Sequence, residues 1–345
     1  MKYCLYLFAF IWVPLIGCSQ PAYHELMVDT AYSQKEFSAT VKAGNYSGIT
    51  RIKDNLYALV NDKSPKAGFY LFTIDLDSYT GMITEIGMDT VMRTSNEPNR
   101  DEEGICYFHP NQTVFVSGEA DNQVIEYNLD GSLTGRKLDV QHIFDTARPN
   151  KGLESLTYNP TTRLFWTATE GPLPKDGEEA SSTNLIHNRI RLQSFGEDLA
   201  PQSQFAYLMD LPIERDSITT NSQTGVSDLI ALDDGRLIVL ERELFFTPSY
   251  VGSTIHNKLY VVNPVIGKPV SNEQPLTEES PYLEKALLCE WSTMISLLRY
   301  DLANFEGMCL GPDLADGTHT IILVSDSQDQ YKGILKDWFK VITFR

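Results

Sequence analysis

A chain of 345 residues with 42% hydrophobic and 21% charged residues is large enough for one big domain or two small ones, and this composition excludes a disordered chain. The formal charge of −18, with no basic cluster beyond Arg136-Lys137, excludes a nucleic-acid partner, which needs a local Lys/Arg surplus, and favours cations instead.

The chain opens on a processing segment. Lys2 is a short positive region, residues 3–13 are apolar but too short to span a bilayer comfortably, and Leu15-Ile16-Gly17-Cys18 closes the stretch. That tetrad resembles a bacterial lipobox. The resemblance implies cleavage after residue 17, a lipid on Cys18, and a mature protein tethered to the membrane of the bacterial cell envelope. A plain signal peptide that happens to contain cysteine is the alternative. Residues 18–345 then read as a single domain and, by expectation, a monomer.

From residue 46 onward one pattern recurs. "YSGITRIKDNLYALVND" (46–62), "DEEGICYFHPNQTVFVSGE" (101–119), "GLESLTYNPTTRLFWTATE" (152–170), "GVSDLIALDDGRLIVLERE" (225–243) and "NFEGMCLGPDLADGTHTIILVSD" (304–326) each hold two apolar runs split by turn residues. Each is an antiparallel hairpin. A second hairpin follows the first three copies, and "NKLYVVNP" with "EKALLCEWS" completes the fourth. Four strands per unit at such intervals predict an all-β fold, a β-propeller of five four-stranded blades. A degenerate sixth blade between residues 243 and 304 stays open as an alternative. The last hairpin is followed by one strand only, "DWFKVITFR", so residues 23–33 are expected to supply the missing strand and close the ring. Cys106, Cys289 and Cys309 read as inert core thiols.

The start of a hairpin's first strand lies beside the end of its second. Glu103 is therefore expected near Glu119, Glu154 near Glu170, Asp228 near Glu241 or Glu243, and Glu306 near Asp326, with Asp62 completing a carboxylate ring at one channel mouth. Two charges about 8 Å apart at an effective dielectric near 20 repel by roughly 2 kcal/mol, so such a ring needs compensation. Arg189 and Arg242 are placed to help, and Ca²⁺ with its oxygen ligands would suit the remainder. The competing reading is that each glutamate merely caps backbone N–H groups of the next blade.

These motifs, together with "TEGPLPKDGE" followed by "NRIRL", resemble the phytase-like family labelled "esterase-like activity of phytase", from about residue 46 to the C-terminus. The resemblance implies an exported β-propeller that hydrolyses phosphate or carboxylic esters. Glu154, Glu170, Pro172, Asp176, Gly177, Arg189, Asp228, Glu241, Arg242, Glu306 and Asp326 fall on the family's motifs. Ser155 departs from them by standing where the Glu-Gly pair elsewhere has glycine, and "DSQDQ" (326–330) is a loose ending. No Gly-x-Ser-x-Gly elbow, His-Glu-x-x-His pair, Walker loop or EF-hand is present, so cation-assisted hydrolysis of a small-molecule ester is the chemistry these residues permit. In that reading Glu154, Glu170, Arg189 and Arg242 act on substrate, while Glu103, Glu119, Asp228, Glu241, Glu306 and Asp326 hold cation or ligand. A non-catalytic propeller that binds a ligand or partner at the same mouth is the second reading.

Overall fold

Runs of β-branched and aromatic residues bounded by Asn, Asp and Gly turns favour strands over helices, and the structure is built from them. A computed structural model describes residues 25–214 and 221–345, so Cys18 and the processing segment lie outside the described residues. Five antiparallel sheets form five blades, and no α-helix is present among the described residues. The expected all-β propeller of five four-stranded blades is the observed fold.

The innermost strands are Tyr46–Lys53, Glu102–Phe108, Leu153–Asn159, Asn221–Ala231 and Asn304–Leu310, in blades one to five. Each neighbours the innermost strand of the next blade, and the fifth neighbours the first. Second strands Leu56–Asn61, Thr113–Gly118, Leu164–Thr169, Leu237–Phe246 and His319–Asp326 run back towards the same channel mouth. Thr254–Val262 and Lys285–Met294 finish blade four, which leaves no sixth blade among the described residues.

Inner strands are buried on both faces because each packs between neighbouring sheets. One apolar cluster fills each interblade space: Tyr46, Phe72, Val324 and Phe339 join blades one and five, and Phe305, Ile321, Ile238 and Leu259 join blades five and four. Three further clusters close the circuit. Cys106 and Cys309 are buried free thiols, and Cys289 is a half-buried one.

Ring closure is made where the unpaired final strand predicts it. Val28–Ala31 pairs antiparallel with Trp338–Phe344, Val28 opposite Phe344 and Ala31 opposite Ile342, and so supplies the outer strand of blade five. Lys35–Glu36 extends the pairing at the other end of the strand.

Every innermost strand carries a register shift at the same place: Tyr46/Ile49, Glu102/Ile105, Leu153/Ser155, Val226/Asp228 and Phe305/Gly307. A bulge adds one residue and re-aims the side chain it carries. The residue that follows it in blades one, two and five is glycine because the blades nearly touch there. A Cβ on Gly48 would lie 2.3 Å from the carbonyl oxygen of Glu103, one on Gly104 2.6 Å from the Leu156 nitrogen, and one on Gly307 2.7 Å from the Ser47 carbonyl oxygen.

A chain beginning at residue 34 would leave Trp338–Phe344 as an open edge. Thermal unfolding should then occur roughly 5–15 °C lower, with self-association through the exposed edge. An unchanged Tm and a monomeric profile on gel filtration would contradict closure by this strand.

Candidate functional site

The five bulges set the geometry of one channel mouth. The extra residues are Ser47, Glu103, Glu154, Ser227 and Glu306, one per blade, forming a lower ring. Two residues earlier in each strand, the chain meets the end of the second strand. Asp62 donates its N–H to Asn45, Glu119 to Asp101 and Glu170 to Gly152, while Arg242 pairs with Gly225 and Asp326 with Asn304. Asp62, Glu119, Glu170, Arg242 and Asp326 are therefore the upper ring. A cavity of about 790 Å³ opens among them, lined by ten carboxylates and three cations, Lys63, Lys151 and Arg242.

The structure brings Glu103, Glu119, Glu154, Glu170, Arg242, Glu306 and Asp326 together at this mouth. It separates the other three expected residues from them. In blade four the bulge falls on Ser227, so the position after it, glycine in three blades and Ser155 in another, is Asp228. Asp228 points away from Glu241: one oxygen accepts from the N–H of Leu229 at 2.8 Å, the other from the N–H of Met308 in blade five at 2.7 Å. A one-residue offset exchanges the two faces of a strand. The same offset turns Glu241 outward, where it accepts from Tyr207 Oη at 2.5 Å and Lys285 Nζ at 2.6 Å, and it places Arg242 in the column that holds a carboxylate in the other four blades. Arg189 also lies outside the mouth, donating to the Asp176 carbonyl at 3.3 Å, while the fully buried Arg191 holds the Asp176 carboxylate with two bonds of 2.7 Å.

Arg242 is the hub of the mouth. It bonds Glu170 at 2.8 Å, Asn304 at 2.8 Å and Glu306. Lys151 bonds Glu170 at 2.7 Å and lies 3.6 Å from Glu179. Burial pushes Glu170 up, but Lys151 and Arg242 outweigh it and hold this carboxylate below its usual range. A Cβ on Gly225 would come within 2.4 Å of Glu170 Cγ, so glycine there makes room for the pair. Lys63 bridges Asp62 and Asp101 at 2.6 and 2.7 Å from an exposed position on the rim. Lys63 and Lys151 were not singled out by the repeat. Each directly follows or precedes a ring segment, Asp62-Lys63 and Lys151-Gly152, a local signal that spacing alone does not rank.

Glu103 and Glu154 differ from the rest. They are 7% and 6% exposed, and no hydrogen bond or ion pair is made to either carboxylate by the described residues. Burial first, then the neighbouring carboxylates, raise both well above the usual range. Ser47 and Ser227 in the same ring have buried hydroxyls without partners, and so does Asp62 Oδ1. Backbone capping accounts for Glu119, which accepts from the N–H of Gly152 in the next blade at 2.9 Å, but not for Glu103 or Glu154. Two triads, Asp62-Asp101-Glu103 and Glu119-Glu154-Glu170, have ligand atoms within 4.8 Å of one another and are suited to a hard cation.

These groups give stability a defined pH dependence. Burial raises Glu119 from 4.5 to about 7 and Asp62 from 3.8 to about 6. A carboxyl with a raised folded pKa stabilises the fold below its unfolded pKa and loses that contribution as pH rises through the folded value. With chelator present, stability should therefore fall between about pH 4 and pH 7, and Glu119→Gln should remove roughly 1–3 kcal/mol of that fall, spread between pH 4.5 and about 7. Urea titrations across this range, in which the wild type and Glu119→Gln showed the same slope, would contradict the assignment.

The family described as "Phytase-like: Esterase-like activity of phytase" matches residues 41–328. No curated protein matches the chain. Among solved structures it is similar to a protein of unknown function from Bacteroides thetaiotaomicron at 10% identity, covering 91% of this chain and 72% of that one with a TM-score of 0.39. It is also similar to a streptogramin B lyase at 11% identity, covering 91% and 98% with a TM-score of 0.35, and to regucalcin, a calcium-binding protein from Agrobacterium tumefaciens, at 9% identity, covering 87% and 91% with a TM-score of 0.35. With five bulged blades in a closed ring and the family's motifs in order along them, the chain belongs to the phytase-like family.

Proposed function

We propose that the protein is a membrane-anchored, cation-dependent hydrolase of phosphate or carboxylic esters, acting at the acidic channel mouth. The observation that carries this reading is the pair Glu103 and Glu154, adjacent in the lower ring, buried, and without a hydrogen-bond donor among the described residues. Ionised carboxylates so crowded repel each other, and a divalent cation such as Ca²⁺ supplies a partner. Glu103 would hold one with Asp62 and Asp101, and Glu154 one with Glu119 and Glu170. The bound cation would offset charge on the ester and lower the pKa of a water molecule.

The chain's own groups would do the rest. Arg242 and Lys151, buried and lining the cavity, supply positive charge that orients an anionic ester. Asp326 stands in blade five, across the ring from Glu103 and Glu154. Its Oδ1 is held by the N–H of Gln328 at 2.7 Å, so it is fixed in place to accept the proton of the attacking water. Export and a lipid on Cys18 are part of the same proposal, supported by the Leu15–Cys18 tetrad and by the family resemblance. No helix among the described residues is long and apolar enough to cross a membrane.

Hydrolysis of p-nitrophenyl phosphate and p-nitrophenyl acetate, measured with Ca²⁺ and then with chelator, tests the proposal. Activity on at least one ester should require the cation. Asp326→Asn should lower kcat by about 10²–10⁴-fold while keeping the Ca²⁺-induced rise in Tm, and Glu154→Gln should lose both. Cation-independent activity, or an Asp326→Asn enzyme of wild-type kcat, would overturn the assignment.

A further inference from the structure

At the outer rim of the mouth side, blades four and five present a seam with side chains that the ring does not cover. Leu297 and Leu298 are 93% and 100% exposed, at the tip of the turn that leads from Lys285–Met294 to Asn304–Leu310. The turn is held: Ser296 donates its N–H to the Arg299 carbonyl at 2.7 Å, and its hydroxyl accepts from the N–H groups of Leu298 and Arg299 at 3.2 and 3.0 Å. Both leucines are thus fixed outward at a cost that folding does not recover.

The surroundings are amphipathic. Tyr250 and Tyr331 face each other through hydroxyls 3.2 Å apart, and Lys332 lies over both rings at 4.8 and 5.1 Å without a carboxylate partner. Further along the seam Lys336, paired with Glu36 at 2.9 Å, covers the half-buried Trp338, while Lys340 is buried against Trp291. Apolar tips backed by tyrosine, tryptophan and long-stemmed cations suit a lipid headgroup boundary, where rings and lysine stems lie between hydrocarbon and water.

The N-terminal arm shares this seam. Gln34 Nε2 donates to the Asp301 carbonyl at 2.6 Å beside the turn, and Leu26 packs among the same cluster at the opposite end of the blade. Only residues 18–24 separate the expected lipid on Cys18 from Glu25, at most about 25 Å of chain. We propose that the seam between blades four and five seats on a phospholipid bilayer, with Leu297 and Leu298 entering the headgroup region. The location rests on the anchored reading above, whereas the seating itself does not need the lipid.

A chain beginning at Ser19 keeps every strand of the ring and carries no lipid. It should co-float with phosphatidylcholine vesicles, and Leu297→Ser combined with Leu298→Ser should reduce the bound fraction roughly tenfold or more at unchanged Tm. A wild-type chain that stays in the soluble fraction, or a double variant that floats equally well, would overturn the proposal. So would a wild-type dimer that the double variant makes monomeric without any flotation, which would assign the patch to a second copy. Fatty-acid labelling of the full chain, lost in Cys18→Ala, reports on the anchor separately.

Discussion

Like-charge repulsion at one end of the channel is the constraint on which the site depends. Ten carboxylates share a cavity with three cationic side chains, and Arg242, Lys151 and Lys63 between them reach Asp62, Asp101, Glu170, Glu179 and Glu306. Of the other five, Glu119 and Asp326 accept backbone N–H groups and Asp329 is exposed, which leaves Glu103 and Glu154 buried without a hydrogen-bond donor among the described residues. The closed ring makes that arrangement possible, because apolar cores between all five blades hold the inner strands against a repulsion that a single hairpin could not withstand. Burial first, and the neighbouring carboxylates after it, raise the pKa values of Glu103, Glu154 and Asp326 well above the usual range. A divalent cation bound as proposed would compete with protons for the same oxygens.

Blade four breaks the five-fold pattern, and the break gives the mouth its polarity. Its lower ring position is serine, as in blade one, and it alone has arginine in place of a carboxylate in the upper ring. Both changes lower the negative charge on one side, so the unneutralised carboxylates lie across blades two and three while Arg242 serves blades three to five. Asp228 completes the construction from beneath. At the level where the blades nearly touch, its carboxylate reaches the Met308 amide of blade five, joining two blades at a place where three of the others have room only for glycine.

The blades are legible in the sequence because each inner strand is apolar on both faces and each turn carries Asn, Asp, Gly or Pro. The final lone strand "DWFKVITFR" likewise announces a partner, which Val28–Ala31 supplies. The mouth is legible for blades two, three and five, where a glutamate starts one strand and an acid ends the next. It is misread in blade four by a single residue: "GVSDLI" offers Asp228 as the nearest acid, whereas the bulge selects Ser227. Lining up Gly48, Gly104, Ser155 and Gly307 would have placed Asp228 in the small-residue column and Arg242 in the acidic one. Arg189 is misplaced for another reason. It stands two residues before Arg191 on the strand Arg189–Phe195, and which of the two meets Asp176 depends on how the loop between blades folds back.

The central claim is that Glu103 and Glu154 are neutralised by a divalent cation in the working protein. Equilibrium dialysis against radiolabelled Ca²⁺ at neutral pH tests it most directly. The account predicts saturable binding by the wild type and its loss when Glu103→Gln and Glu154→Gln are combined, with the chelated double variant at least as stable as the wild type through relief of repulsion. Absence of saturable binding, or a double variant that binds Ca²⁺ as the wild type does, would contradict it.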